Sequence, residues 1–332
     1  MKIAIVILNW NGKKLLEQFL PSVVNFSLRD ATIYLADNAS TDASIGYVKE
    51  FFPTVKIVEN TINGGYAKGY NDALRSIEAD IYCLLNSDIE VTENWLKPII
   101  KVFKSDKKTA IIQPKLLDFN DKTKFEYAGA AGGFIDLFGY PYCRGRIFNH
   151  LETDKAQFND ETDILWASGA CLFIRSNVYH LLDGLDEDYF AHQEEIDLCW
   201  RAKNCGYKIK YVGTSTVYHI GGATLQETNP QKTFLNFRNS LFNILKNIPK
   251  KLLLFVLISR LILDGIAGIK FILELRPIHT LAILKAHLSF YKNFFKFLEK
   301  RKKLNKNQEY KLFNSIVWQH FILGRKKFKD LR

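Results

Sequence analysis

A chain of 332 residues, 47% hydrophobic and 24% charged, is long enough for one large α/β domain with an appendage or for two domains. Its five cysteines, Cys83, Cys143, Cys171, Cys199 and Cys205, have no zinc-type spacing, and an odd count argues against a disulfide framework, so a reducing cytoplasm is the expected home. The net charge of +11 is unevenly placed: residues 238–332 hold 21 Lys and Arg against 5 Asp and Glu, or +16, whereas residues 1–237 hold 25 against 30, or −5, an acidic body followed by a basic attachment region.

Met1 to Leu8 is apolar but stops at Asn9-Trp10-Asn11-Gly12 with no small-residue cleavage site, which reads as a first strand rather than a signal peptide. Helical patterns over Lys13–Val24, Ala43–Phe52 and Tyr66–Ser76 then alternate with strands over Thr32–Ala36, Val55–Glu59 and Asp80–Leu85. This alternation predicts an α/β fold with a doubly wound, Rossmann-like, mostly parallel sheet. Each predicted strand ends in polar residues: Asn9 to Gly12, Asp37 to Asp42, Asn63-Gly64-Gly65, and Asn86-Ser87-Asp88. Such residues also cap helices and form turns. Four clusters at one end of a sheet point instead to a nucleotide crevice. At the last of them, Asp88 can hold a divalent cation against a diphosphate or simply close a solvated turn.

Residues 120–163 lose periodicity and read as loops over the active face. Ile164–Arg175 reads as one strand-like run broken by Ser168-Gly169-Ala170, small residues that admit close approach by a ligand or another backbone. Leu185–Arg201 reads as a helix with an acidic entrance, followed by a strand over Lys208–Val212. Within that helix Asp197 and Arg201 are spaced to pair, with Glu194 one turn before Asp197. Three carboxylates, Glu194, Glu195 and Asp197, exceed what a helix N-terminus needs, so one is expected to act as a general base. His219, before Gly221-Gly222, offers an imidazole that with Asp88 suits Mn²⁺ or a related ion.

Taken in order, Ile3 to Gly12, Asp37 to Asp42, Asn63 to Asn71, Asn86 to Asp88, Gly169-Ala170, Glu194 to Arg201 and His219 resemble the family-2 glycosyltransferases of the GT-A fold, within them the bacterial rhamnosyltransferase-like branch. The resemblance covers roughly residues 1–240. It implies a 1–237 catalytic domain, with a nucleotide-sugar half at 1–119 and an acceptor half at 120–237, followed by a basic helical extension at 238–332. By the same resemblance, Asp37 accepts from the imide of a uracil or thymine. Asn9, Asn11 and Asn38 line the nucleotide; Asn63, Gly65 and Gly69 let the chain approach it; Asn86, Asp88 and Arg201 face the diphosphate sugar. Asp88 and His219 bind Mn²⁺ or Mg²⁺, Trp166, Gly169 and Ala170 face the acceptor, and Glu195 is the base, with Glu194 its rival. The usual Asp-x-Asp reads Asn86-Ser87-Asp88, so one carboxylate of that motif is missing.

In the basic third, Leu252–Leu275 is long and apolar but contains Arg260, Asp264, Lys270 and Glu274. At about 100° per residue these four fall within one arc of about 120°. An amphipathic helix lying on a membrane, its charges toward water, is expected over a span, with a helical hairpin packed on the catalytic domain, its basic face solvated, as the alternative. Basic clusters at Lys300–Lys303 and Arg325–Lys327 suit an anionic leaflet, and nucleic acid is not an expected partner because no nucleic-acid motif accompanies the charge. The expectation is an inverting enzyme, peripheral at the inner face of the plasma membrane, that moves a sugar from dTDP-rhamnose or a UDP-sugar to a lipid-linked or cell-surface glycan. A sugar nucleotidyltransferase and a non-catalytic sugar-nucleotide-binding scaffold are the alternatives.

Overall fold

The computed structural model describes residues 1–221, 229–302 and 309–331. Gly222, Ala223 and Thr224 of the turn after His219, and Lys303 of the basic cluster, lie outside the described residues. The chain runs β1 (Ile3–Asn9), α1 (Lys13–Ser27), β2 (Thr32–Asp37), α2 (Ser44–Phe51), β3 (Lys56–Glu59), α3 (Gly65–Leu74), β4 (Ile81–Asn86), β5 (Ile89–Val91), α4 (Leu96–Ser105) and β6 (Thr109–Asp118). Four short strands follow, β7 (Gly133–Ile135), β8 (Pro141–Cys143), β9 (Arg146–Ile147) and β10 (His150–Leu151), and form their own sheet. Then come β11 (Glu161–Ile164), β12 (Cys171–Arg175), α5 (Ser176–Leu181), α6 (Glu194–Asn204), β13 (Lys208–His219) and the helices α7 (Pro230–Asn247), α8 (Lys250–Leu273) and α9 (Pro277–Lys302).

The main sheet has the order β11-β13-β6-β12-β4-β1-β2-β3, with β5 beside β13. Strands β4, β1, β2 and β3 are parallel, and β12 is antiparallel to both β4 and β6, so the sheet is mixed. The central strands read as unbroken apolar runs because both faces are covered. Ala4 and Val6 of β1 join Tyr70 and Leu74 of α3 and Trp200 of α6 in one core, while Ile3, Ile5 and Ile7 join Leu16 and Leu20 of α1 and Phe103 of α4 in the other. Strand β1 is flanked by β2 on one side and β4 on the other, which makes its C-terminal end the switch point where a crevice opens.

Four expectations change. Residues 164–175 form the end of β11 and all of β12, with 165–170 a connection between them. The expected helix 185–201 begins only at Glu194, because Phe190, His192 and Gln193 take positive φ values of 66°, 68° and 71° that no helix accommodates. The boundary at 237/238 falls inside α7, which packs on α6 and α9. Leu241, Phe242 and Leu245 of α7 share a core with Tyr189 and with Phe290 and Phe297 of α9, so the basic third is built into the body.

The fourth change is the charged stripe of α8. Arg260 and Asp264 point into the protein: Arg260 Nη1 donates to Phe138 O at 3.1 Å, its guanidinium lies 3.9 Å from the centre of the Tyr140 ring, and Asp264 pairs with it and with His287. Only Lys270 and Glu274 face water, paired with each other. The apolar side of the helix is the exposed one.

Candidate active site

Register places the polar strand ends in a row. Asn9 lies opposite Asp37, Asp37 opposite Glu59, and Leu8 opposite Asn86. The Asp37 carboxylate is buried and accepts from Asn9 Nδ2 at 3.0 Å and from the Ser40 N–H at 2.8 Å, which holds it ready with lone pairs to spare. Asn11 locks the loop after β1 to that after β2, its side-chain oxygen accepting from the Thr41 and Asp42 N–H groups at 2.7 and 3.2 Å. Asn38 donates to Asn63 Oδ1 at 2.9 Å and to Gly65 O at 3.1 Å, fixing the start of α3. A Cβ on Gly69 would meet Leu8 at 2.9 Å and Asn38 at 3.0 Å, so this glycine seats α3 on the strands rather than meeting a ligand itself.

The other rim is tied to the first by close backbone contacts. The Asn86 N–H donates to Ala170 O at 2.9 Å, and Tyr66 Oη donates to Gly169 O at 2.6 Å. A Cβ on Gly169 would lie 3.7 Å from that of Glu195, and one on Gly65, which has φ +77°, would lie 3.0 Å from Phe190 O. The end of β4, the starts of α3 and β12 and the entrance of α6 therefore border one crevice, with Asn86, Gly169, Ala170 and Glu195 along it.

Glu194 and Glu195 open α6. Burial raises Glu195, opposed by backbone N–H groups at the helix start, and its carboxyl is pushed up to about 7. Burial, then the neighbouring Glu195, hold Glu194 well above the carboxylate range. Burial thus raises both glutamates at this helix start, and Glu195 is the one that borders Gly169. The turn that presents them is strained, since non-glycine residues in left-handed conformations each cost about 1–3 kcal/mol. It is held by α7: Asn239 Nδ2 donates to the carbonyls of Tyr189, Ala191 and His192 at 3.1, 2.9 and 2.7 Å, and Tyr189 Oη donates to Asn243 Oδ1 at 2.9 Å.

Asp197, expected as a third candidate base, is instead an internal counter-ion. It is wholly buried, accepts from Arg201 Nε at 2.6 Å, Lys246 Nζ at 2.8 Å and Asn247 Nδ2 at 3.0 Å, and its neighbouring cations hold it ionised against burial. Arg201, expected at the diphosphate, is spent on Asp197 and on the carbonyls of Leu182 and Gly184. Trp166, expected at the acceptor, is a core residue whose indole covers Gly133 and donates to Phe134 O at 2.9 Å. Sequence spacing gave the Asp197–Arg201 pair; Lys246, which completes it, comes from 49 residues away and carries no local signal.

At the far end of the crevice, pairing of β5 with β13 sets His219 opposite Ile89 and so beside Asp88. His219 Nε2 is 3.2 Å from Asp88 Oδ1, and its Nδ1 is 3.3 Å from Glu126 Oε1. Burial opposes a charged imidazole, but Glu126 and then Asp88 outweigh it, and His219 is pushed up to about 10. This pocket is built to hold positive charge. A separation of about 3 Å suits two adjacent ligands on one small cation, and a carboxylate behind the ligating imidazole is the usual way to orient it. Asp88 and His219 thus fit Mn²⁺ or Mg²⁺ with Glu126 behind, while among the described residues no group of three or more acidic, His or Cys side chains forms an all-protein cage. Glu126 lies in the irregular region 120–163 and was not legible beforehand.

Among the buried side-chain atoms that lack a hydrogen-bond partner among the described residues, three, Asn9 Oδ1, His192 Nε2 and Glu194 Oε2, belong to this edge. Native interiors leave few such groups, so their concentration here marks a place completed by a polar ligand. The exposed Trp10, between Asn9 and Asn11, adds an aromatic surface at the nucleotide rim that sequence motifs did not single out.

A half-parallel sheet with a row of polar strand ends, an acidic turn after β4 and a helix opening on two glutamates across the crevice is the GT-A arrangement of glycosyltransferases. The chain belongs to glycosyl transferase family 2, whose model matches residues 4–181. It is 23% identical over 220 residues to an N-acetylglucosaminyl-diphospho-decaprenol L-rhamnosyltransferase of Mycobacterium tuberculosis, an alignment covering 61% of this chain and 71% of that one. In fold it is similar to S. aureus TarS 1-349 in complex with UDP-GlcNAc (TM-score 0.57, 15% identity, 91% of this chain and 92% of that one). It is also similar to GalNAc-T7 with UDP, GalNAc and Mn²⁺ (TM-score 0.59, 16% identity), with 75% of this chain matched to 48% of that one. The protein is a glycosyltransferase that uses a nucleotide sugar.

Proposed function

We propose that the chain transfers a sugar with inversion from a nucleoside-diphosphate donor, dTDP-rhamnose or a UDP-sugar, to a hydroxyl of a lipid-linked or cell-surface glycan. The observation that carries this reading is Glu195: a carboxyl pushed up to about 7, at the entrance of α6 and against the Gly169-Ala170 segment that adjoins Asn86. A base with that affinity for protons takes one from an alcohol near neutral pH most effectively.

In the proposed step the acceptor oxygen gives its proton to Glu195 and forms a bond to the anomeric carbon. The bond from that carbon to the diphosphate oxygen breaks, and its electron pair leaves with the nucleotide. Asp37, oriented by Asn9 and Ser40, accepts from the imide of the base; Asn11, Asn38 and Asn63 shape the pocket around it. Glu194, beside Glu195, offers an unpartnered Oε2 to the donor sugar or acceptor. A cation at Asp88 and His219 would offset charge developing on the leaving diphosphate. The lipid-linked acceptor draws support from the name of the mycobacterial relative.

The test is product analysis with a panel of dTDP- and UDP-sugars, Mn²⁺ and polyprenyl-diphosphate sugar acceptors. The expected product is a new glycoside of inverted anomeric configuration with release of the nucleoside diphosphate. Retained configuration would refute the single displacement, and release of pyrophosphate from a nucleoside triphosphate would make the protein a nucleotidyltransferase.

A further inference from the structure

Helices α8 and α9 each carry an apolar stripe that no described residue covers. On α8, Arg260 and Asp264 are buried, while Ile258, Ile262 and Ile269 on the opposite side are 51%, 61% and 60% exposed. On α9, Ala282, Ala286 and Phe290 are buried, while Leu284, Leu288 and Phe295 are 56%, 69% and 78% exposed. Helical spacing makes these continuous faces rather than scattered surface residues, and apolar faces of this extent mark interaction sites. The two helices form a hairpin pinned at its corner, where Thr280 Oγ1 donates to Gly268 O at 2.8 Å, and its tip residue Leu275 is 89% exposed.

Charge selects the occupant. Lys285 and Lys292 border the α9 stripe, Lys250 and Lys251 open α8, and these four exposed lysines have no acidic partner among the described residues. A second copy meeting this face about a two-fold axis would set like against like, lysine row on lysine row. An anionic bilayer accepts both the apolar stripe and its basic border.

The orientation follows from α8. Its 24 residues are long and apolar enough to cross a membrane. Yet Arg260 and Asp264, at its middle, are fastened to Phe138, Tyr140 and His287, so the helix lies along the body. We propose that the exposed face of the α8–α9 hairpin rests in the interfacial layer of an anionic membrane, apolar side inward, holding the crevice at the membrane surface. This rests on surface chemistry alone and stands apart from the identity of donor and acceptor.

The test is flotation of the full chain with phosphatidylcholine vesicles with or without 30% phosphatidylglycerol. The expected result is flotation with the anionic vesicles only, and at least tenfold weaker vesicle affinity for the double variant Ile262→Glu, Leu288→Glu with an unchanged thermal midpoint. If that variant does not fold, acylation of lysines in the unaltered chain gives the answer. Anionic vesicles should protect Lys285 and Lys292 and leave Lys104 on α4 unaffected. Equal flotation of variant and parent, equal labelling of all three lysines, or a dimer dissolved by the double variant in place of vesicle binding would overturn the proposal.

Discussion

The catalytic body and the C-terminal helical layer both bury charged residues, but they aim them in opposite directions. Around the crevice, Asp37, Asp88, Glu194 and Glu195 sit at strand and helix ends; Glu194 Oε2 has no hydrogen-bond partner among the described residues, and Asp37 and the two glutamates have no ion-pair partner there, which leaves their chemistry for a ligand. In the helical layer, Arg260 pairs with Asp264, and Lys246 and Lys300 with Asp186, inside the protein, and it is the apolar side chains that are turned outward. A charged residue next to a site is therefore not automatically part of it. What separates Asp37, Glu194 and Glu195 from Asp186, Asp197 and Asp264 is that the latter three already have a cation from this chain.

Four substitutions and a pH profile put this difference to the test. The largest effect is expected from Glu195→Gln, which should lower turnover by about 10²–10⁴-fold in steady-state assays while leaving donor affinity in place. Asp197→Ala, two residues along the chain, should act on stability instead, because it strands Lys246 and Arg201 in the interior. A loss of about 3–5 kcal/mol in urea unfolding is expected, and a variant of parental stability would show that the pair is not buried as described. Asn239→Ala removes the donor shared by three carbonyls of the strained turn, so kcat should fall about tenfold with donor affinity kept, as misplacement of a base predicts. The pH profile has a similar size: with Glu195 at about 7, kcat/KM should fall about tenfold per unit below pH 7 and level off above it. The sign for stability is the reverse, since a carboxyl raised from an ordinary 4.5 to about 7 favours the folded state when protonated and withdraws that support as pH rises through this window. Smallest is Asn86→Asp, which restores the missing carboxylate and should lower the Mn²⁺ concentration for half-maximal activity several-fold after chelator treatment. No change would place Asn86 away from the ion.

How much of this was legible in the sequence follows the same division. The strands β1, β2 and β4 and their polar ends were readable because each is a local pattern, an apolar run followed by turn residues, and the parallel sheet then aligns them. The start of α6 was not: an acidic stretch reads as helix, and the turn before it exists only because Asn239 and Asn243 arrive from α7 to hold it. Glu126 escaped for the same reason, as did Lys246, since both reach their partners through tertiary contacts. For α8 the periodicity correctly put Arg260 and Asp264 on one face, but periodicity does not say which face meets protein. Tyr140, Phe138 and His287, from two other parts of the chain, decide it.

The central claim is that one crevice joins a nucleotide rim at Asp37 to a base at Glu195 that touches the reaction and not the nucleotide. Calorimetric titration of the preferred nucleotide sugar, with a divalent cation present, into the parent, Asp37→Ala and Glu195→Gln tests it directly. Affinity should fall by at least about tenfold in Asp37→Ala and be retained in Glu195→Gln. Equal affinity in all three, or a loss confined to Glu195→Gln, would contradict it.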